Sequence, residues 1–335
     1  MSGGTSSFGQ PPVTLYWHPH FVIDAYFWHT GTTSIHEDGF SGAFAVASGS
    51  SLQSRYRFEE SERFGDTVWT GALYQLDLEY LRQGDSRKIW GGDKLIHSVF
   101  HLESPSLSLC VRTSGGRNLI PVQRNFSPVG LARDPFFTSE RLKLLPRLIG
   151  FGLEYREALT LRELGSEMAR CDALEAWTVL DSVFAHLGRD FEPVHQLIAA
   201  SSKRHAPLRD YWYRYYDALT RNRILIDLRH TIEDAAQRKV LGLILNAHCR
   251  ERLMDGIKTL FGTPKDPLGL NRFIELAHTM GFKDGAPNME AIVAGFGLSD
   301  EDNKTLHQVL SSLPQSPEAD LSRLKDNIAF GTFFV

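Results

Sequence analysis

The sequence predicts an α+β protein: a β-rich first part, residues 13–125, followed by an all-α second part, residues 138–330. Three observations carry this. Before residue 125, short segments rich in aromatic and β-branched residues recur between Gly, Ser and Asp clusters. After residue 138 the apolar residues return at spacings of three and four. Between the two, Pro128, Gly130 and Pro135 interrupt both periods.

The opening MSGGTSSFGQPP has no basic start followed by an apolar core, so it reads as a flexible leader and not a signal peptide. Strands are expected at 22–28, 42–48, 52–58, 74–82 and 107–113. In the third, Leu52, Tyr56 and Phe58 share one parity and Gln53, Arg55 and Arg57 the other. If Tyr56 and Phe58 face inward, both arginines are solvated; the reverse would turn them toward a substrate carboxylate. Gly49-Ser50-Ser51, Gly84-Asp85 and Ser114-Gly115-Gly116 are turn signals. Many short strands joined by turns predict a closed or sandwiched β-structure.

The helical part begins with Ser139 as N-cap. Leu174, Trp177, Leu180 and Phe184 mark one apolar face, and Leu241, Leu245, Leu253, Ile257 and Leu260 another, closed by Gly262-Thr263-Pro264. The aromatic run Tyr211-Trp212-Tyr213-Arg214-Tyr215-Tyr216 reads as a packing surface, and 304–312 as a last short helix. Arg221, Arg223 and Arg229, with Asp217, Asp227, Glu233 and Asp234, read as a solvated charged face, and His195, His205, His230, His248, His278 and His307 as structural or surface residues. The apolar end, Phe330, Phe333, Phe334 and Val335, is expected to dock on the barrel or on a neighbouring subunit. The helical part is also the expected route to a homo-oligomer.

A net charge of −4 over 335 residues offers no basic field for nucleic acid. No run of 18 apolar residues exists, so no membrane span is expected. Three cysteines without CxxC spacing argue against a disulfide framework or a zinc–thiolate site and for a reducing cytoplasm.

The chemistry concentrates at His36 and Asp38. Two residues apart on a strand, they share a face, while Glu37 points away. A third ligand from a distant strand would complete a site of two histidines and one carboxylate with open positions, the arrangement of non-heme Fe(II) oxygenases. His97, in Leu95-Ile96-His97-Ser98-Val99, is the candidate. Nitrogen and oxygen donors without thiolate suit iron or manganese better than structural zinc. Gly39 and Gly42 read as small residues letting a strand pass close to a buried site. Tyr74, Tyr80, Trp90 and Cys110 are candidate pocket residues, and His18-Pro19-His20 a candidate outer contact.

The run WHTGTTSIHEDGFSGAFAVASGSSLQSRYRF resembles the first metal motif of the cupin superfamily, particularly of cysteine dioxygenase-like proteins. Asp38 stands where that motif has its second histidine and Gly49 where it has its turn glycine. IWGGDKLIHSVFHLESPSLSLCVRT is similar to the second motif, with His97 at its histidine and His101 at a position often held by asparagine. The resemblance covers residues 22–113. It implies a double-stranded β-helix barrel, a metal held by His36, Asp38 and His97, and an Fe(II)-dependent dioxygenase using O2 on a small, amino-acid-derived molecule. The family's fourth, glutamate ligand would fall near Gly42 or Ala43, and Arg112 lies near its catalytic tyrosine. Arg112 and His101 are therefore the candidate catalytic residues. Two other functions fit the residues. The order His36, Asp38, His97, Arg112 also occurs in 2-oxoglutarate-dependent hydroxylases, with the arginine clamping the co-substrate. A non-catalytic barrel could instead sense a small ligand.

Overall fold

Alternating burial along the early segments makes them strands, and their order places the site. The structure, a computed structural model, describes residues 12–29, 33–114, 123–187, 192–201, 204–216, 218–219, 232–265 and 269–279. The expected helix at 304–312, the apolar end from Phe330 to Val335, Gly115-Gly116, Asp217, the charged run from Arg221 to Arg229, His230 and His307 lie outside them.

Among the described residues eleven strands form two sheets: β1 (Val13–His18), β2 (Phe21–Trp28), β3 (Ile35–Glu37), β4 (Gly42–Ser48), β5 (Ser51–Phe64), β6 (Val68–Leu81), β7 (Ser86–Ile89), β8 (Ile96–His101), β9 (Ser106–Thr113), β10 (Asn125–Phe126) and β11 (Leu131–Arg133). One sheet has the order β1-β2-β9-β4-β7; the other six strands close into a barrel, β10-β11-β6-β5-β8-β3. The expected strands at 52–58 and 74–82 are parts of a longer hairpin, β5 and β6. Charged, exposed residues from Glu59 to Arg63 erase the alternation there. β10 and β11 occupy the stretch that reads as an interruption; at two and three residues they are too short to show a period, yet they close the barrel between β3 and β6.

The helical region follows, with α1 (Glu140–Met168), α2 (Ala173–Leu187), α3 (Glu192–Ser201), α4 (Ala235–Asn246), α5 (Arg250–Phe261) and α6 (Leu270–Thr279). Ser139 caps α1 by accepting from the Leu142 backbone N–H. α1 is broken at Arg156, whose backbone is non-helical. The helices share their cores with the strands: Leu52, Phe100 and Leu102 pack with Val240, Leu241, Leu253 and Ile257, and Val68 and Leu131 with Leu153, Trp177, Leu180 and Trp212. Trp212 and Tyr216 are fully buried, so the aromatic run is core. Among the described residues no helix is long and apolar enough to cross a membrane.

Gly42 is required for a reason other than the expected one. A Cβ there would sit 1.9 Å from the Val111 carbonyl oxygen on neighbouring β9, so the close approach is strand to strand and not to the site. Gly42→Ala is expected to cost roughly 3 kcal/mol through forced separation of β4 and β9. Gly84→Ala, at φ +91° with open space around it, should cost only about 1 kcal/mol. Chemical denaturation midpoints at unchanged slope decide; equal losses would refute the strand-contact explanation.

Candidate metal centre

β3 pairs with β8 so that His36 lies directly opposite His97, with ring centroids 4.7 Å apart. Asp38 follows the last residue of β3 and turns to the same side. Its Oδ2 is 3.1 Å from His97 Nε2 and its Oδ1 3.6 Å from His36 Nε2. All three are buried, 3–5% exposed. One ligand atom from each lies within 4.8 Å of the others, so the group can hold a metal ion. Glu37 points the other way and receives Arg124 in a two-pronged contact at 2.7 and 3.0 Å.

The outer contacts set the imidazoles. His36 Nδ1 is 2.7 Å from the Ser34 carbonyl oxygen, so Nδ1–H donates there and Nε2 is the ring nitrogen turned toward Asp38, available to a metal once unprotonated. His97 Nδ1 is 3.1 Å from Gln53 Nε2, while Gln53 Oε1 is buried without a hydrogen-bond partner. In this arrangement His97 Nε2–H donates to Asp38. A half-turn of the Gln53 amide gives Oε1 a donor in His97 Nδ1–H and frees the Nε2 lone pair for a metal. The orphaned oxygen and the all-nitrogen-and-oxygen donor set thus fit a bound divalent ion.

Electrostatics follow from burial and the triad. Burial alone would raise the Asp38 carboxyl, but hydrogen bonds and charge from His36 and His97 outweigh it and hold Asp38 well below the usual carboxylate range. Burial disfavours a charged His36, yet Asp38 prevails and raises it. At His97 burial wins and the imidazole is lowered.

The three residues line one side of a cavity of about 360 Å³ between the two sheets. The opposite wall is Tyr26 and Trp28 of β2, Phe44 and Val46 of β4, and Cys110 and Arg112 of β9. His101 lies on the triad's side but outside the triad: its Nδ1 is 2.9 Å from Ser51 Oγ and its ring stacks on Trp28 at 4.3 Å. Arg112 Nε donates to Asp24 Oδ2 at 2.8 Å, and Thr14 Oγ1 donates to Asp24 Oδ1 at 2.8 Å. Asp24 is wholly buried. Tyr56 faces away from the cavity into the barrel core, and Arg55 and Arg57 are solvated and paired with Asp77 and Glu59. Tyr74 and Trp90 are about half exposed, Tyr80 packs against the helices, and none of them lines the cavity. His18 and His20 touch each other across the β1–β2 turn, outside the cavity.

Sequence reasoning missed Gln53 and Asp24. Parity grouped Gln53 with the solvated Arg55 and Arg57, yet it is 2% exposed, and β5 shifts register between Arg55 and Tyr56; Asp24 had no signal. Gln53→Ala is expected to weaken metal affinity by about 10–100-fold, as loss of a ligand-orienting partner does. Metal titration measures it; unchanged affinity would remove Gln53 from the site.

The cysteines give an independent check of the cavity. Cys110 is buried in its wall, and burial, then the Asp38 charge, pushes its thiol up to about 12. Cys171 is buried and pushed up to about 11, whereas Cys249 is exposed. At pH 8 a thiol of pKa near 12 is thiolate in only about one molecule in ten thousand. One thiol of the three, Cys249, should therefore react with an aromatic disulfide reagent in the native protein, the other two only after denaturation. Rapid native titration of Cys110 would contradict the closed wall.

The sequence matches no family model and no curated protein. Among solved structures, hydroquinone 1,2-dioxygenase from Sphingomonas sp. TTNP3, with 4-hydroxybenzoate bound, is 14% identical over 33% of this chain and 71% of its own, at a TM-score of 0.25. The hydroquinone 1,2-dioxygenase PnpCD, in complex with Cd2+ and 4-hydroxybenzonitrile, is 11% identical over 34% and 70%, also at 0.25. An uncharacterised double-stranded β-helix protein from Klebsiella pneumoniae is 15% identical over 35% and 92%, at 0.21. Overlaps this shallow carry no argument about activity, and the function is argued from the triad and its cavity.

Proposed function

We propose that this chain is a metal-dependent enzyme of the cupin kind, a mononuclear Fe(II) oxygenase acting on a small molecule. The observation that carries the reading is the convergence of two imidazoles and one carboxylate, all buried, on the edge of an aromatic-walled cavity. His36, Asp38 and His97 would hold the ion. Bound there, Fe(II) would supply O2 activation, chemistry that two histidines and one carboxylate with open positions support.

The chain's own residues do the rest. Ser34 and Gln53 hold the two rings in place, so that only the Gln53 amide and the His97 proton change position when the ion enters. Tyr26, Trp28, Phe44 and Val46 exclude water from the reacting side. Because Asp24 matches the Arg112 charge, the wall favours an uncharged, largely apolar substrate over an anion. Arg112 and His101 line the cavity and would orient that substrate.

Anaerobic purification, metal analysis and Fe(II) reconstitution test the reading, followed by O2 uptake against a panel of small aromatic and amino-acid-derived molecules. About one iron per chain and substrate-dependent uptake without 2-oxoglutarate are expected. Uptake that requires 2-oxoglutarate would assign Arg112 to the co-substrate. A metal-free chain whose His36→Ala variant binds ligand normally would make it a sensor.

A further inference from the structure

Helix α1 carries two apolar faces, and the described residues cover one. Ile149 and Leu153 are buried in the core shared with the barrel. On the opposite side Leu144, Leu148, Phe151 and Tyr155 are 51%, 65%, 66% and 65% exposed. Their spacing is four, three, four, so they form one stripe over about 16 Å of helix, ahead of the break at Arg156. Phe151 and Tyr155 are in ring contact at 4.6 Å, which makes the stripe continuous. A helix lying on a protein surface normally presents a polar outer face; a second stripe marks a second packing partner. The alternation of three and four is the seam spacing by which one helix receives the side chains of another.

We propose that this seam docks a second copy of the chain, with the two α1 helices antiparallel about a two-fold axis. The axis lies between Leu148 and Phe151. It sets Leu148 against the partner's Phe151 and Leu144 against the partner's Tyr155, so every exposed apolar side chain meets another. The flanking charges argue for this occupant. Arg147 and Glu154, both exposed, sit seven residues apart on the same flank of the seam. Antiparallel pairing brings Arg147 beside the partner's Glu154, and symmetry makes the contact twice. A lipid surface fits less well: the chain has net charge −4, and Glu154 lies on the flank that would face the headgroups.

Sedimentation equilibrium of the full chain across the micromolar range tests the proposal, and it does not depend on the metal reading. A reversible dimer is expected. Leu148→Glu or Phe151→Glu should weaken it at least about a hundredfold by placing a charge in the seam. Arg147→Glu and Glu154→Arg singly should weaken it about tenfold, and the double reversal should restore it to within about threefold of the parent. Because these side chains lie on the surface, circular dichroism should stay unchanged, as should the thermal midpoint at a concentration where the parent is itself monomeric; the charge-reversal pair serves if an apolar substitution perturbs folding. A monomer throughout the range, a dimer indifferent to Leu148→Glu, or a double reversal as weak as the singles would overturn the proposal. So would binding to anionic phospholipid vesicles that Leu148→Glu abolishes.

Discussion

Asp38→Asn is expected to abolish stable metal loading while leaving the barrel folded. The carboxylate is the negative charge shared by the two facing imidazoles, reaching His97 at 3.1 Å and His36 at 3.6 Å. The amide keeps its shape but contributes neither charge nor two equivalent acceptor oxygens. The loss in affinity should exceed the roughly 10–100-fold that removal of an outer partner costs. His97→Ala should behave alike, since register alone brings it opposite His36. His101→Ala should retain the metal, because its ring is committed to Ser51 and Trp28. Metal per chain after anaerobic desalting is the readout, with the thermal upshift on adding Fe(II) as a second. An Asp38→Asn protein that loads metal like the parent, or a His101→Ala protein that does not, would show the ligands to be misassigned.

The second large effect concerns Asp24 and Arg112. Asp24 has no solvent exposure, and its partners are Arg112 and Thr14. Arg112→Ala would leave that carboxylate buried with its charge uncompensated. Breaking such a pair from one side costs roughly 3–5 kcal/mol; with the guanidinium about one-third exposed, about 2–4 kcal/mol is expected. Asp24→Asn with Arg112→Met should recover most of the loss, since removing both charges removes the penalty. Denaturant unfolding of the two single variants and the double variant gives the coupling. A coupling near zero would mean that Arg112 is not held by Asp24 and is free to bind a ligand anion. This separates a wall residue from a co-substrate clamp before any substrate is known.

Local patterns made much of this readable. Period-two alternation on 52–58 separated the buried Tyr56 and the half-buried Phe58 from the solvated Arg55 and Arg57. The same alternation set Glu37 apart from His36, and in the structure Glu37 is engaged by Arg124 on the far side. Where charge masked the alternation, as from Glu59 to Arg63, the strand could not be followed. Where strands were two or three residues long, as β10 and β11, no period existed to be read. Tyr74, Tyr80 and Trp90 looked like cavity walls because aromatic character says that a residue seeks burial, not which surface buries it.

The amino-acid sequence by itself determined the succession of a β-rich part and a helical part, the turning of His36 and Asp38 to one side of the chain, and the absence of a basic field. These are local properties, settled by neighbours within a few positions along the chain. Tertiary structure alone decided that β3 pairs with β8 so that His97 meets His36, that Gln53 reaches His97 from β5, and that Asp24 neutralises Arg112 across β2 and β9. Each depends on which strands become neighbours and in what register. That choice is made by burial over the whole chain, and it leaves no mark in the spacing of residues along one segment.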